Sequence, residues 1–356
     1  MRGASGEAAP LVSIIVAAHN EEFAIEAKIA SLLAADYPRE RVEILIGSDG
    51  SSDRTEDVVR RFANDGVGLI SFPQQQGKSA MQNGLVAASC GSILVFTDAD
   101  CISPPDALPL LLENLGDPGV GLVTARPRYQ NANETAITEN ESIYLAYESW
   151  LREQESVRGI LAIASGSLFA IRRELWAPLE AGLGDDLVLP LRVAAAGFQN
   201  VLDVRASVVT RLTQSDPRSM LRLKTRIISK DFRGLCAHAA LLNPFRHGAL
   251  AIALWSHKML RWLMPYFLIT LFVANCFLLD RPIFRVTLAA QSAFYALALV
   301  GFLLQEFPKS RSLRGLWSVP LSFCIVNLAA LLGTLKGVAG GSTGQWKPVR
   351  KHSPAA

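Results

Sequence analysis

Two carboxylates spaced i and i+2 close a short apolar run, Ile93-Leu94-Val95-Phe96-Thr97-Asp98-Ala99-Asp100. The β-branched and aromatic residues of that run predict a buried strand. Along an extended backbone, residues i and i+2 point to the same side. Asp98 and Asp100 could therefore converge on one hard divalent cation, at the carboxyl end of a strand where open α/β sheets hold ligands. An Asp-x-Asp triplet is also ordinary turn chemistry, so the rest of the chain has to decide. A second acidic pair, Asp185-Asp186, follows Gly182-Leu183-Gly184 and opens an apolar helix that runs to about Ala196. Acids in a first helical turn serve as capping as readily as for chemistry. Between the pairs lies Ser165-Gly166-Ser167, small residues that permit close backbone approach to a ligand.

The elements that must position these residues alternate along the N-terminal part of the chain. Leu11 to Ala18 predicts a first buried strand, running into His19-Asn20-Glu21-Glu22 and then a helix with Phe23, Ile25, Ile29, Leu32 and Leu33 at its apolar positions. Val42 to Gly47 predicts a second strand, ending in Ser48-Asp49-Gly50 and a capped helix from Thr55 to Ala63. Val67 to Phe72 is a third strand, and Gly77-Lys78-Ser79 leads into a helix from Ala80 to Ser89. This is the pattern of a doubly wound, mainly parallel α/β sheet, whose strand ends line one crevice. Further on, a helix near Ala107 to Leu115, a strand Val120 to Ala125 and a helix Ser142 to Glu155 are expected, with Asn131 to Glu141 as a polar loop or helix cap. No Gly-x-Gly-x-x-Gly follows the first strand and no complete P-loop is present, which tells against a dinucleotide enzyme or a P-loop ATPase.

Composition separates two regions. The chain has 356 residues, half of them hydrophobic and only 19% charged, with a mean hydropathy of +0.25. Most of the charge lies before about residue 235, and long uncharged runs follow residue 260. That split predicts a soluble domain followed by membrane helices. A net charge of +3 is too mild to suggest nucleic acid. The five cysteines form no Cys-x-x-Cys pair, which argues against a zinc site or a disulfide framework.

Taken in order, these motifs resemble the family 2 inverting glycosyltransferases of the GT-A fold. The resemblance rests on Ser13 to Glu22, Ser48-Asp49-Gly50-Ser51-Ser52-Asp53, Gly77-Lys78 with Asn83-Gly84, Thr97-Asp98-Ala99-Asp100, Ser165-Gly166-Ser167, and Asp185-Asp186-Leu187 ending at Leu191-Arg192. It covers roughly residues 11 to 235. The resemblance implies that Asn20, Glu21 and Asp49 hold the nucleotide base and ribose, and that Lys78 and Asp98 approach the donor diphosphate. It implies that Asp98 and Asp100 hold Mg²⁺ or Mn²⁺, which stabilises charge developing on the leaving group. Asp186 matches the family's general base, with Asp185 beside it. Gly166, Ser167, Asp185 and Arg226 fall on the acceptor side. In many relatives an aromatic residue stands where this chain has His19. Processive members carry a Gln/Arg-x-x-Arg-Trp motif. Here Arg226 matches its Arg, but Leu223 and Ile227 stand in place of its Gln and Trp. Single-sugar transfer is therefore expected, with a processive polysaccharide synthase as the second reading and a non-catalytic nucleotide-sugar-binding scaffold as the third. The basic residues Arg218, Arg222, Lys224, Arg226, Lys230 and Arg233 read either as a solvated helix face or as contacts to diphosphate or anionic lipid.

The expected organisation is a flexible N-terminus (1–10), a GT-A domain (11–235), an amphipathic interfacial region (236–261), about three transmembrane helices (262–337) and a polar tail (338–356). Ala249 to Trp262 is interrupted by His257 and Lys258, with Arg261 near its end, which suggests an interfacial helix. Three runs free of charge follow, Trp262 to Leu279, Val286 to Gln305 and Gly315 to Leu335, each near the ~20 residues that cross hydrocarbon. Lys309, Arg311 and Arg314 place the loop before the last run on the cytoplasmic side. Three crossings would then put Lys347, Arg350 and Lys351 outside, against the charge rule. The expected protein is a multi-pass enzyme of the cytoplasmic membrane with its catalytic domain in the cytoplasm. Its donor would be a nucleotide sugar, a UDP-sugar favoured over a GDP-sugar, and its acceptor a lipid or lipid-linked saccharide.

Overall fold

A computed structural model describes residues 9–131, 134–212, 216–303 and 311–340. Seven strands form one sheet in the order β3-β2-β1-β4-β6-β5-β7. They are β1 (Val12–Ala18), β2 (Val42–Asp49), β3 (Val67–Phe72), β4 (Ile93–Asp98), β5 (Val120–Tyr129), β6 (Leu168–Arg172) and β7 (Gln199–Thr210). All pairings are parallel except those of β6, which runs against both β4 and β5. The mainly parallel α/β sheet followed by apolar helices, expected from the GT-A resemblance, is the observed fold class. The antiparallel β6 follows the small residues 164–167 directly, and its short apolar run Leu168–Ile171 has no alternation that marks a strand. No strand was expected at β7 either.

Each β1 residue is buried, because the sheet is covered on both faces. Ile14 and Val16 face one side, where α1 (Ile25–Leu33), α2 (Thr55–Arg60) and α4 (Ala107–Asn114) supply Ile25, Ile29, Val59 and Leu111. Ile15 and Ala17 face the other, where α3 (Lys78–Ala88) and α6 (Asp185–Ala195) contribute Met81, Leu85 and Val188. Phe96 of β4 stacks on Phe169 and Trp176 at ring separations of 5.1 and 5.0 Å. Helix α5 (Ala136–Val157) starts six residues before the expected Ser142. Thr135 caps it reciprocally with Thr138, so the polar stretch is partly helix. Helix α7 (Pro217–Ala237) begins at Asp216, whose carboxylate accepts from the Arg218 and Ser219 amides, followed by Pro217 at the first helical position.

The C-terminal part is helical: α8 (Pro244–Leu254), a π-helical turn (Trp255–Met259), α9 (Leu260–Phe277), α10 (Pro282–Leu303) and α11 (Arg311–Val338). Among the described residues, three helices are long and apolar enough to cross a membrane, spanning Pro244–Phe277, Pro282–Leu303 and Leu316–Val338. The stretch expected to be interfacial therefore continues into the first of them. Leu254 and Trp262 are buried with Leu187, Leu191 and Leu235, a cluster of its own that fastens this helix to α6 and α7. Helix α11 lies on α7 at close range. A Cβ at Gly337 would stand 2.9 Å from the Phe232 ring, so a larger residue there would push the two helices apart. Lys309 and the basic residues of the tail, Lys347, Arg350 and Lys351, lie outside the described residues, as does most of the N-terminal segment 1–10.

Candidate active site

The parallel register brings the strand ends together: Ala17 of β1 pairs with Asp98 of β4, and Ala18 with Ser48 of β2. Asp49 then shapes the next element. Its carboxylate accepts from the backbone amides of Gln76 at 2.7 Å and Gly77 at 2.9 Å, fixing the start of α3. Lys78, the first residue of that helix, donates from Nζ to Asp98 Oδ1 at 2.9 Å and lies 3.1 Å from Asp185 Oδ2. One turn on, Gln82 donates to the same Asp185 oxygen at 2.7 Å. One lysine thus joins the two acidic pairs read from the sequence.

Beneath the first pair sits Lys28 of α1, fully buried. Its Nζ donates to Thr97 Oγ1 and to the Cys101 carbonyl, each at 2.7 Å, bracing the turn that carries Asp98 and Asp100. Thr97 Oγ1 in turn donates to the Ser167 carbonyl at 2.7 Å, tying that turn to the Ser165–Ser167 loop. Burial lowers the Lys28 ammonium to about 8 against the opposing pull of Cys101, Asp98 and Asp100.

Asp98, Asp100 and Cys101 each offer one ligand atom, all within 4.8 Å of one another. Burial, with Asp98 and Asp100 adding, pushes the Cys101 thiol up to about 12, so it stays protonated and is a poor ligand. What remains is two carboxylates at a cavity edge, a donor set that suits a hard cation such as Mg²⁺ or Mn²⁺. Asp98 is raised above the ordinary carboxylate range by burial and by Asp100, with Lys78 opposing. A bound cation would relieve that cost.

The second pair divides in two. Asp185 is lowered: burial opposes ionisation, but Lys78 and Gln82 outweigh it. Asp186 is raised to about 7 by burial, then by the nearby carboxylates of Asp231 and Asp185, with Lys78 and Lys258 opposing. Among the described residues its carboxylate forms no ion pair. Gly184 makes this crowding feasible. A Cβ there would lie 2.8 Å from Asp186 Oδ1 and 3.3 Å from Asp231 Oδ1, so the space a side chain would need is taken by the two carboxylates.

A cavity of about 410 Å³ is lined by both pairs, by Glu21, Lys78, Gly166 and Ser167, and by Arg226. Asn20 and Asp49 stand at the same edge of the sheet but outside the cavity wall, where they hold loops. Asn20, at φ 55°, accepts the Ser52 amide at 2.8 Å. His19 Nδ1 lies 2.7 Å from the Asp49 carbonyl. The far wall comes from helices α5 and α7, with Leu145, Ser149 and Arg152 facing Leu223, Ile227 and Lys230. The basic face of α7 is thus not uniformly solvated. Arg226 and Lys230 line the cavity, while Lys224 bonds Glu141 at 2.5 Å.

The sequence reading missed Asp231 and the three polar residues of the first apolar helix that meet the domain. His257 is 3% exposed and bridges Glu155 at 2.7 Å and Glu148 at 2.8 Å through its two ring nitrogens. Lys258 Nζ lies 3.2 Å from Asp231 Oδ2, and Arg261 bonds Glu148. The signal was visible as three polar residues in an apolar run, but their partners lie far away in the chain.

Residues 13–177 match the family model for glycosyl transferase family 2. The chain is 31% identical over 202 residues to a probable glycosyltransferase, YdaM, of Bacillus subtilis, covering 53% of this chain and 48% of that protein. It is 29% identical over 194 residues to a beta-monoglucosyldiacylglycerol synthase of Trichormus variabilis, covering 52% and 41%. The chain thus spans about half the length of the curated relatives it matches, or less. A solved structure of the mannosyltransferase PcManGT from Pyrobaculum calidifontis, in complex with GDP-Man and Mn²⁺, superimposes with a TM-score of 0.69. That alignment covers 94% of this chain and 88% of the mannosyltransferase at 21% identity, a likeness of fold.

Proposed function

We propose that this chain, which carries a glycosyl transferase family 2 domain over residues 13–177, is a membrane-anchored inverting glycosyltransferase. It moves one sugar per event from a nucleotide-diphospho-sugar to a lipid or lipid-linked acceptor at the cytoplasmic face. The observation that carries this reading is that two aspartate pairs of opposite character line one cavity, joined by Lys78. In the reaction Asp186 accepts the proton of the acceptor hydroxyl, the freed oxygen attacks the anomeric carbon from the face opposite the leaving group, and the bond to the diphosphate breaks. A half-buried carboxylate at about 7 is well matched to that proton. Asp98 and Asp100 would hold Mg²⁺ or Mn²⁺, which supplies charge stabilisation to the departing diphosphate. Lys78 places a fixed positive charge between the leaving group and the base, and keeps Asp185 ionised. Asn20 and Asp49 order the loops that would face the nucleoside, and Glu21 reaches the cavity itself. A UDP-sugar is the favoured donor, with a GDP-sugar second.

Two features support the acceptor class and the single transfer. The wall opposite the carboxylates mixes Leu145, Leu223 and Ile227 with Arg152 and Lys230, chemistry that suits an amphiphile with a polar reacting end. Leu223 and Ile227, standing at the Gln and Trp positions of the processive motif, offer no aromatic platform for a growing chain. The relative from Trichormus variabilis is named for a glucosylated diacylglycerol product, which agrees with a lipid acceptor. Membranes containing the recombinant protein, supplied with labelled nucleotide sugars, test the reading. They should yield a lipid-extractable product extended by one sugar. Long water-soluble products would favour a polymerising synthase instead, and donor binding without turnover on any acceptor would favour a scaffold.

A further inference from the structure

The first apolar helix does more than anchor the domain. Its π-helical turn, Trp255–Met259, departs from α-helical register where the helix docks on α5 and α7, and such turns are frequent at functional sites. His257 and Lys258 follow one another in this turn yet reach different helices of the domain. His257 docks on α5 through Glu148 and Glu155, and Lys258 docks on α7 through Asp231. The Asp231 carboxylate is 4% exposed, lines the cavity, and converges with Asp186 over Gly184. Two carboxylates of the wall therefore have a lysine each, Asp185 with Lys78 and Asp231 with Lys258, and Asp186 lies among them.

We propose that Asp231 and Lys258 form a positioning pair through which the docked first apolar helix sets the proton affinity of the base Asp186. This rests on Asp186 being the base and extends that reading. The groups that face Asp186 are Asp185 on its own helix, Lys78 on α3, Asp231 and Lys230 on α7, and Lys258 on the π-helical turn. The other charged residues of the lining are Glu21, Asp98, Asp100, Glu148, Arg152 and Arg226. Of these, Asp231 opposes ionisation of Asp186 most strongly after burial itself, and Lys258 favours ionisation. The lysine also offsets the cost of the Asp231 charge. If the helix undocked, that charge would remain beside the base without its partner. On the donor side Asp98 bonds Lys78, and Lys28 bonds Thr97 and the Cys101 carbonyl, so neither draws on the pair for its partner.

The test is the pH dependence of kcat/KM for the full chain in membranes or detergent, in four proteins. The base works only when ionised, so activity rises as pH rises through its pKa. Asp231→Asn removes an opposing negative charge, and the acidic limb should move down by about one pH unit. Lys258→Gln leaves Asp231 unpaired, and the limb should move up by a smaller amount. The double variant D231N/K258Q removes both charges and should place the limb between those of the two single variants. Lys258→Arg should keep the limb of the unaltered protein. Limbs that stay in place in both single variants, while activity merely falls, overturn the pair. Should Lys258→Gln not fold, the direction of the limb in Asp231→Asn and in the double variant still decides. Asp186→Asn serves as the separate control. Turnover surviving in that variant removes the base assignment itself, whereas its loss alongside unmoved limbs removes only the role of the pair.

Discussion

The two aspartate pairs that face one cavity have the same residue types and different neighbours. Asp98 and Asp100 lie at the end of a β-strand, and the Asp98 side chain is 35% exposed and ion-paired to Lys78. Asp185 and Asp186 open a helix; Asp185 is 6% exposed, while Asp186, like Asp98, is half-buried. The first pair presents two carboxylates at the cavity edge, a donor set that suits a hard cation. In the second, Lys78 and Gln82 hold Asp185 charged, while Asp186 faces further carboxylates and keeps its proton more tightly. Residue type does not separate the proposed metal ligands from the proposed proton acceptor. Neighbouring charge does.

The largest expected effect comes from removing the proton acceptor. Asp186→Asn should lower kcat by about 10²–10⁴-fold, the contribution of a positioned general base, with donor affinity unchanged by calorimetry. Asp98→Asn or Asp100→Asn should act on the other side of the comparison. Metal-dependent donor binding should weaken by about 100-fold, as a loss of several kcal/mol of charge stabilisation implies. Next comes pH. With Asp186 at about 7, kcat/KM should fall about tenfold for each unit below that value, because protonation removes the base. An acidic limb near 4 would show that the second pair is no different from an ordinary carboxylate. The smallest effect is expected at Lys28. Lys28→Met leaves the Thr97 hydroxyl and the Cys101 carbonyl without their buried donor, which costs about 1–3 kcal/mol. Melting should fall by a few degrees and metal-dependent donor binding should weaken, while the acidic limb stays where it is.

Much of this was legible in the sequence because it is local. Strands β1 to β4 declare themselves as apolar β-branched runs, and in a parallel sheet their polar ends must share an edge. Asp98, Asp100, Asp185 and Asp186 could be named from their positions relative to those elements. The antiparallel β6 could not, since Leu168–Ile171 is a short apolar run without alternation, which periodicity alone does not assign to a strand. The early start of α5 depends on a Thr135–Thr138 capping pair instead of the usual Glu or Gln. His257, Lys258 and Arg261 read as an interfacial face because their partners, Glu148, Glu155 and Asp231, are distant in the chain. Asp231 itself was masked by the basic residues around it on α7. Local pattern reports which residues can do chemistry. Which of them are buried together, and hence how each titrates, depends on contacts between helices that no window of sequence contains.

The division of labour is tested most directly by measuring donor binding and turnover on the same two variants, Asp186→Asn and Asp98→Asn, with a nucleotide sugar in the presence of Mn²⁺. Asp186→Asn should bind the donor as the unaltered protein does and transfer no sugar, and Asp98→Asn should lose the Mn²⁺-dependent part of binding. Sugar transfer by Asp186→Asn at the unaltered rate, or undiminished Mn²⁺-dependent binding by Asp98→Asn, would contradict the assignment.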